Sequence, residues 1–404
     1  MRFEPLSPSY LADPYATLAE ARAEAAVAYA PDIDMWVVTR MADVEAVFMD
    51  PETFSASIAQ DPLMPVCDEA KAVLAQGFNP LRTLSNASPE MHRRTRPQAQ
   101  KGFSNRRMAL METVVRERAA GFVVDFLASG SSASGDLVAG VAFPLPAVTI
   151  FRLIGFPPED TEQIKAWAGD RLAFSWGKPT AEQQTAIARQ MLAYWRYCQD
   201  FVTKRFDEPG DDFTTDLIAE HRADPEGLSL DEIRSIIYGL SFAGHETTTN
   251  LISNTLRNLL ADRAQWATVC ANPALAARAV EETLRFDTSV ITWRRLTTRP
   301  VTIDGVEVPE GARLLLLLGG ANRDPARFPE PDSFDISRAN SRQHVSFGKG
   351  AHYCLGAQLA RMEAKAVIEE LARRVPQVTL QPDQSYAVHP NVTFRGPQQL
   401  WLSW

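Results

Sequence analysis

Phe347-Gly348-Lys349-Gly350-Ala351-His352-Tyr353-Cys354-Leu355-Gly356 sets one cysteine in a loop punctuated by glycine. The residues that follow, Ala357-Gln358-Leu359-Ala360-Arg361-Met362-Glu363-Ala364, read as a helix. The spacing therefore predicts Cys354 at a helix N-terminus. There the backbone N–H groups and the positive end of the dipole favour a thiolate over a thiol. Gly348 and Gly350 allow a sharp turn and a close approach of backbone to something flat and bulky. The plainer alternative is an inert cysteine buried ahead of a helix.

Upstream, a helix pattern runs from Asp231 to about Leu260, opened by Ser229-Leu230-Asp231-Glu232, an N-cap followed by acidic first-turn residues. Its middle reads Ala243-Gly244-His245-Glu246-Thr247-Thr248-Thr249. Glycine and a run of threonines are poor helix formers, so a local distortion is expected there. Ser88-Pro89-Glu90-Met91-His92 opens another helix, with Ser88 as N-cap and Pro89 at the first turn. His92 and Arg96 share a face of it. Arg93 and Arg94 lie among them, so a solvated basic helix is the bland reading. Glu282 and Arg285, three apart on a further helix, can pair; alone, such a pair is usually an exposed contact of little worth.

Other helices are expected over Asp13–Ala26, Met41–Met49, Met108–Leu127, Phe143–Ile154, Asp160–Phe174, Ala181–Phe206 and Leu355–Arg373. Short strands are expected at Met35–Thr39, Arg295–Thr297, Val301–Ile303, Leu314–Leu318, Val378–Leu380, Val392–Phe394 and Leu400–Leu402. Phe54 to Ala87 is irregular, and Asp211 to Leu217 is polar and acidic. No repeat or low-complexity linker appears. Length alone suggests two or three domains; the pattern instead suggests one mostly helical domain over residues 1–404 with small β-sheets.

The chain has 404 residues, 45% hydrophobic and 23% charged, with a net charge of −9. That balance excludes a general nucleic-acid binder. The four cysteines, Cys67, Cys198, Cys270 and Cys354, are far apart and suggest neither a disulfide framework nor a cysteine-rich zinc site. No signal peptide or membrane anchor opens the chain, and the most apolar region is broken by Pro144, Pro146 and Arg152. The chain reads as cytoplasmic.

Pro89…His92…Arg96, Ala243-Gly244-x-Glu246-Thr247, Glu282-x-x-Arg285, Ala321-Asn322-Arg323-Asp324-Pro325 and the Cys354 loop occur in the order found in the cytochrome P-450 superfamily, the haem-thiolate monooxygenases, and the chain resembles its bacterial members over essentially its whole length. The resemblance implies a mainly α fold with small β-sheets, with haem b (iron protoporphyrin IX) between the long central helix and the helix that follows the cysteine loop. It implies Cys354 as the iron ligand, with Phe347, Gly348 and Gly356 around the sulfur. His92, Arg96, Arg295 and His352 would hold the haem propionates, with Arg294 competing for the role of Arg295. Ala243 and Gly244 would face the haem, and Gly244 would leave room for dioxygen. Glu246 and Thr247 would form the acid–alcohol pair that carries protons to dioxygen; many relatives have Asp in place of Glu246. Glu282 and Arg285 would brace the core. Relatives often add an arginine where this chain has Ser333, a place that Arg338 could fill.

The implied activity is insertion of one oxygen atom into a small to medium, mostly apolar organic substrate, with Ile58, Met64, Val66, Phe174, Leu240, Ala243, Val290, Ile291, Val392 and Phe394 near the pocket. No flavin or nicotinamide fingerprint appears. Electrons would come from a ferredoxin or flavodoxin-like donor with its reductase, or from a reductase fused in a longer native chain. Arg93, Arg94, Lys101, Arg106, Arg107, Lys349 and Arg361 would attract an acidic donor. Two other classes remain open at this point: a haem protein that senses ligands or carries electrons, and a zinc hydrolase using His344, His352 and Cys354.

Overall fold

The computed structural model describes residues 1–130, 133–169 and 171–404. Its strands are β1 (Val27–Ala30), β2 (Met35–Val38), β3 (Phe54–Ser55), β4 (Ser134–Asp136), β5 (Trp293–Thr297), β6 (Val301–Ile303), β7 (Val306–Val308), β8 (Arg313–Leu316), β9 (Thr379–Leu380) and β10 (Trp401–Ser403). Helices make up most of the rest, as the sequence pattern requires. The chain falls into two compact units, each gathered from separate stretches.

The first unit comprises Met1–Phe54, Leu110–Pro146 and Glu246–Trp404. In it β2 runs parallel to β8 and antiparallel to β1, while β8 pairs antiparallel with β5. Val38, Leu314 and Leu316 of these strands are buried with Val44 and Phe48 of the Met41–Met49 helix and with Phe328 and Val345. The Glu246–Ala261 helix packs on Ala357–Arg374, the helix after the cysteine loop. The predicted strand Val392–Phe394 is reduced to one bridge, Val290 to Phe394. The Asn391 side chain accepts from the N–H groups of Thr393 (2.9 Å) and Phe394 (2.6 Å), which bends the chain into a turn.

The second unit comprises Ser55–Ala109 and Ala147–His245. Its Ala181–Asp207 helix starts on a capping box between Thr180 and Gln183, and Leu230–Ala243 on one between Ser229 and Glu232. Two helices lie where the sequence pattern places none, one in the stretch that reads as irregular and one starting in the acidic run. Asp68–Leu74 is short and enclosed by proline-rich loops. Phe213–Ala223 begins on the Asp212 side chain, which accepts from Thr215 N–H, so the acidic run is a cap followed by a helix. The helix expected over Asp160–Phe174 is instead Thr161–Gly169 and Arg171–Trp176, with residue 170 outside the described residues.

One buried ionic cluster frames the first unit. Glu282 is fully buried and receives two hydrogen bonds from Arg285, at 2.6 and 3.0 Å. Arg338 donates to the same carboxylate at 3.1 Å, so it does take the place left by Ser333. The two guanidiniums also bind the backbone carbonyls of Asn322, Pro331 and Ser333 (Arg285) and of Pro329, Glu330 and Ser333 (Arg338). This is a buried network that holds an otherwise aperiodic stretch, which is a far stronger role than a surface pair. Removing Arg338 leaves Glu282 with one cation, takes the guanidinium donor from the carbonyls of Pro329 and Glu330, and leaves Ser333 O with Arg285 alone. Arg338→Ala is expected to destabilise the protein by about 3 kcal/mol, read from chemical denaturation. A change near zero would make the contact incidental.

Candidate active site

In the first unit the cysteine loop is closed by Cys354 N–H, which donates to Phe347 O at 2.9 Å. A short turn covers Gly350–His352, and the following helix begins at Ala357 with Gly356 as its N-cap, so Cys354 lies two residues ahead of the cap rather than one ahead of the helix. Gly350 has φ +65°, and a Cβ there would lie 2.7 Å from Phe48 O; no other residue fits that turn. Cys354 is exposed, which removes the inert buried alternative. The Phe347 ring beside it in the loop is covered by the Arg361 guanidinium at 4.5 Å. Arg361 is fixed in turn by Glu281 at 2.5 Å, and His344 Nε2 lies 3.3 Å from the same carboxylate. Burial works against the Glu281 charge, but the bonds from His344 and Arg361 outweigh it and hold the carboxyl down at about 2.

Arg295, on β5, is buried, and burial lowers its pKa to about 10. Its Nη1 donates to Arg294 O at 2.9 Å, and its guanidinium lies 5.1 Å from the Phe48 ring centre. No salt bridge joins it to a carboxylate among the described residues. A buried cation of this kind fits an anionic group brought by a cofactor. Together, an exposed thiol in a tight glycine loop and a buried guanidinium lacking an acid fit a haem with its propionates. His352 is half-buried in the turn ahead of Cys354.

The long helix is interrupted where expected. Leu230–Ala243 ends at Gly244, and Glu246–Ala261 starts two residues later. Glu246 and Thr247 are half-buried in the first turn of the second segment. Desolvation raises the Glu246 carboxyl from 4.5 to about 7, so it exchanges a proton near neutrality.

In the second unit His92 is buried on the Pro89–Lys101 helix together with Thr95 and Ala99, and Arg96 is half-buried. This orders a face that sequence alone left open to solvent. Ala243 is exposed although its neighbour Phe242 is buried. A Cβ at Gly244 would lie 2.6 Å from Ile150 Cγ1, so close packing demands glycine there whatever its other use. His245 is kept neutral, at about 4, by burial and then by the charge of Lys165. Of the expected pocket residues in this unit, Phe174 and Val66 cluster with Leu74, Phe78, Ile187 and Met191.

Most of the expected basic docking residues carry acidic neighbours inside their own unit. Arg94 binds Glu232 at 2.8 Å, Lys101 binds Glu220 at 2.7 Å, and Arg107 binds Asp216; Lys349 binds Glu45, and Arg361 binds Glu281. The bare positive patch expected from the residue count is therefore largely neutralised. Sequence reasoning also missed Glu363, which is buried on the helix after the loop with Oε2 lacking a hydrogen bond; burial pushes its carboxyl well above the usual carboxylate range. Its place on a regular helix gives no sequence signal.

The Cytochrome P-450 family model matches residues 270–385. The chain is 33% identical to the cytochrome P-450 monooxygenase PikC of Streptomyces venezuelae, over 99% of this chain and 93% of that one. Among solved structures it is similar to cytochrome P-450 CREJ in complex with (4-ethylphenyl) dihydrogen phosphate, with TM-score 0.96 and 38% identity over 100% of this chain and 99% of that one. It is equally similar in sequence, at 38% identity and TM-score 0.95, to an intact type IV self-sufficient cytochrome P-450 monooxygenase, covering 100% of this chain and 52% of that one. The fold and the site define a haem protein of the monooxygenase class. The chain belongs to the cytochrome P-450 family. It is an oxidoreductase that works with haem iron, and the sensor and zinc-hydrolase readings fall away. Among the described residues no helix is long and apolar enough to cross a membrane.

The raised Glu246 pKa has a measurable consequence. The folded chain holds a proton that the unfolded chain loses near 4.5, so this group's contribution to stability falls as pH rises from about 4.5 through about 7. Glu246→Gln removes that penalty. The variant is expected to gain at most roughly 3 kcal/mol over wild type at about pH 8, and almost nothing at about pH 4. Equal differences in denaturation free energy at the two pH values would show that Glu246 is not desolvated.

Proposed function

We propose that this protein inserts one atom of dioxygen into a small to medium, mostly apolar organic substrate, using haem b and electrons from an external redox partner. The observation that carries this reading is an exposed Cys354 in a glycine-shaped loop, in the same unit as Glu246-Thr247 and the buried Arg295. Haem ligated by a thiolate supplies oxygen activation.

In this reading the chain's own residues do the following. Cys354 gives its sulfur to the iron, with Phe347, Gly348 and Gly356 shaping its surroundings. Arg295, His352, His92 and Arg96 neutralise the propionates. Ala243 and Gly244 keep a helix surface free of bulky side chains. Glu246 holds a proton at its carboxyl near neutral pH and releases it readily, and the neighbouring Thr247 hydroxyl passes a proton on to dioxygen. Residues 1–404 are proposed to act as one haem-binding domain, since both compact units draw on separated stretches of chain.

The apolar cluster around Phe174 supports an apolar substrate, and the likeness to CREJ with its bound aryl phosphate supports an aromatic one. A ferredoxin or flavodoxin-like donor is proposed. The likeness to a self-sufficient monooxygenase equally supports a reductase fused in a longer chain. With most docking cations already paired, attraction to an acidic donor would be modest. The proposed setting is the cytoplasm, where reduced nicotinamides supply such electrons.

Cys354→Ser is expected to abolish the red-shifted absorption band of the reduced, carbon monoxide-bound protein. Retention of that band would sink the ligand assignment. Thr247→Ala is expected to lower product formed per reducing equivalent several-fold, with hydrogen peroxide accounting for the difference. An unchanged ratio would mean that Thr247 carries no proton here.

A further inference from the structure

We propose that Arg171 seats an anionic group of the substrate, a carboxylate or a phosphate monoester. The side chain lies on the Arg171–Trp176 helix and is 7% exposed. Its guanidinium carbon lies 4.6 Å from the ring centre of Tyr238 and 4.6 Å from that of Phe242. These two rings stand four apart on the Leu230–Ala243 helix, so one helix face presents both to the cation. Nη2 donates to Gln60 Oε1 at 2.9 Å, and Gln60 is itself held by Ser85. Nε and Nη1 are buried with no hydrogen-bond partner, and the Tyr238 hydroxyl is too.

The contrast with other arginines is informative. Buried Arg285 has Glu282, and half-buried Arg257 has Asp287. Arg171 has no salt bridge to an acid among the described residues. Among the described residues, the titratable groups that interact with its charge are the Cys198 thiol and the phenols of Tyr194 and Tyr238, which burial keeps neutral. Two aromatic faces and one amide carbonyl soften the loss of water but leave two donors unused. A desolvated cation in this state gains most from an acceptor that carries charge.

An open cleft lies in the same unit. Pro65, Val66, Lys71, Leu74, Ala75 and Phe78 line a cleft of ≈ 530 Å³. Phe78 stands edge to face on Tyr238 at 5.7 Å, so one ring separates the cleft lining from the guanidinium. Lys71 at the cleft is engaged by Asp68 at 2.8 Å and is the weaker anchor. The ligand this arrangement fits is amphipathic: an apolar body along Val66, Leu74 and Phe78, with one anionic end that reaches Arg171 and Tyr238.

The inference rests on the monooxygenase reading only in calling the ligand a substrate. The test uses the haem-loaded wild type and Arg171→Gln, titrated calorimetrically with phenylacetate, phenyl phosphate and the neutral phenylacetamide. Wild type is expected to bind an anion about tenfold tighter than phenylacetamide, the size of one charge-assisted hydrogen bond. Arg171→Gln should lose that preference while its phenylacetamide affinity stays unchanged, and Arg171→Lys should keep part of it. A gain for phenyl phosphate alone identifies a phosphate seat; a gain for both identifies a general anion seat. No anion preference in wild type, or a preference retained in Arg171→Gln, overturns the proposal. Where the glutamine variant does not fold, the Arg171→Lys comparison decides: an anion preference equal to that of wild type overturns the proposal. The reduced carbon monoxide spectrum of the same wild-type sample reports separately on the haem-thiolate reading, so the two can fail independently.

Discussion

A carboxylate with no access to water holds the cysteine unit together. Glu282 survives burial because two guanidiniums enclose it, and those guanidiniums spend their remaining donors on the carbonyls of a stretch with no regular structure. The chain of bonds continues from there. Asn322, whose carbonyl accepts from Arg285, presents its side chain to Val345 N–H and Ser346 Oγ, each at 2.8 Å. These residues lead directly into the loop that Cys354 closes. The iron ligand proposed for Cys354 needs a fixed sulfur position, and an irregular loop cannot supply it from repetitive backbone bonds. The buried ionic network supplies it instead.

Legibility in the sequence followed how local each signal was. The Met41–Met49 helix and β6 lie where their patterns place them, and the break at Gly244 lies where propensity fails. The order of motifs exposed the family because each motif is a short run of chain. The helix at Phe213 was hidden because its cap, Asp212, sits in an acidic run that reads as loop. The role of Arg338 was only half legible, since the network replaces an arginine with one five residues further on, and geometry alone decides whether it reaches. The two-unit division had no linker to announce it.

Partners that a residue acquires only in three dimensions were the least legible part. Three glutamates in or near the proposed machinery behave in three ways. Glu281 keeps its charge because His344 and Arg361 point at it. Glu246 is balanced near neutrality because burial acts with nothing to oppose it strongly. Glu363 is pushed well above the usual carboxylate range by burial alone. No composition or spacing distinguishes them. The same holds for the surface, where a run of cations that looks like a docking patch is mostly spent on neighbouring acids.

Buried cations show the same logic in reverse. In a protein of net charge −9 an acid is seldom far from an arginine, and most arginines here have found one. A guanidinium that is buried yet joined to no acid among the described residues therefore runs against the composition. Arg295 is such a case in one unit and Arg171 in the other. Burial without a counter-charge is costly, and a fold keeps it where a small molecule supplies the charge. For Arg295 the proposed molecule is the haem, through its propionates. Arg171 stands in the same physical position, among aromatic rings and behind an apolar cleft, and the same argument then points to a substrate.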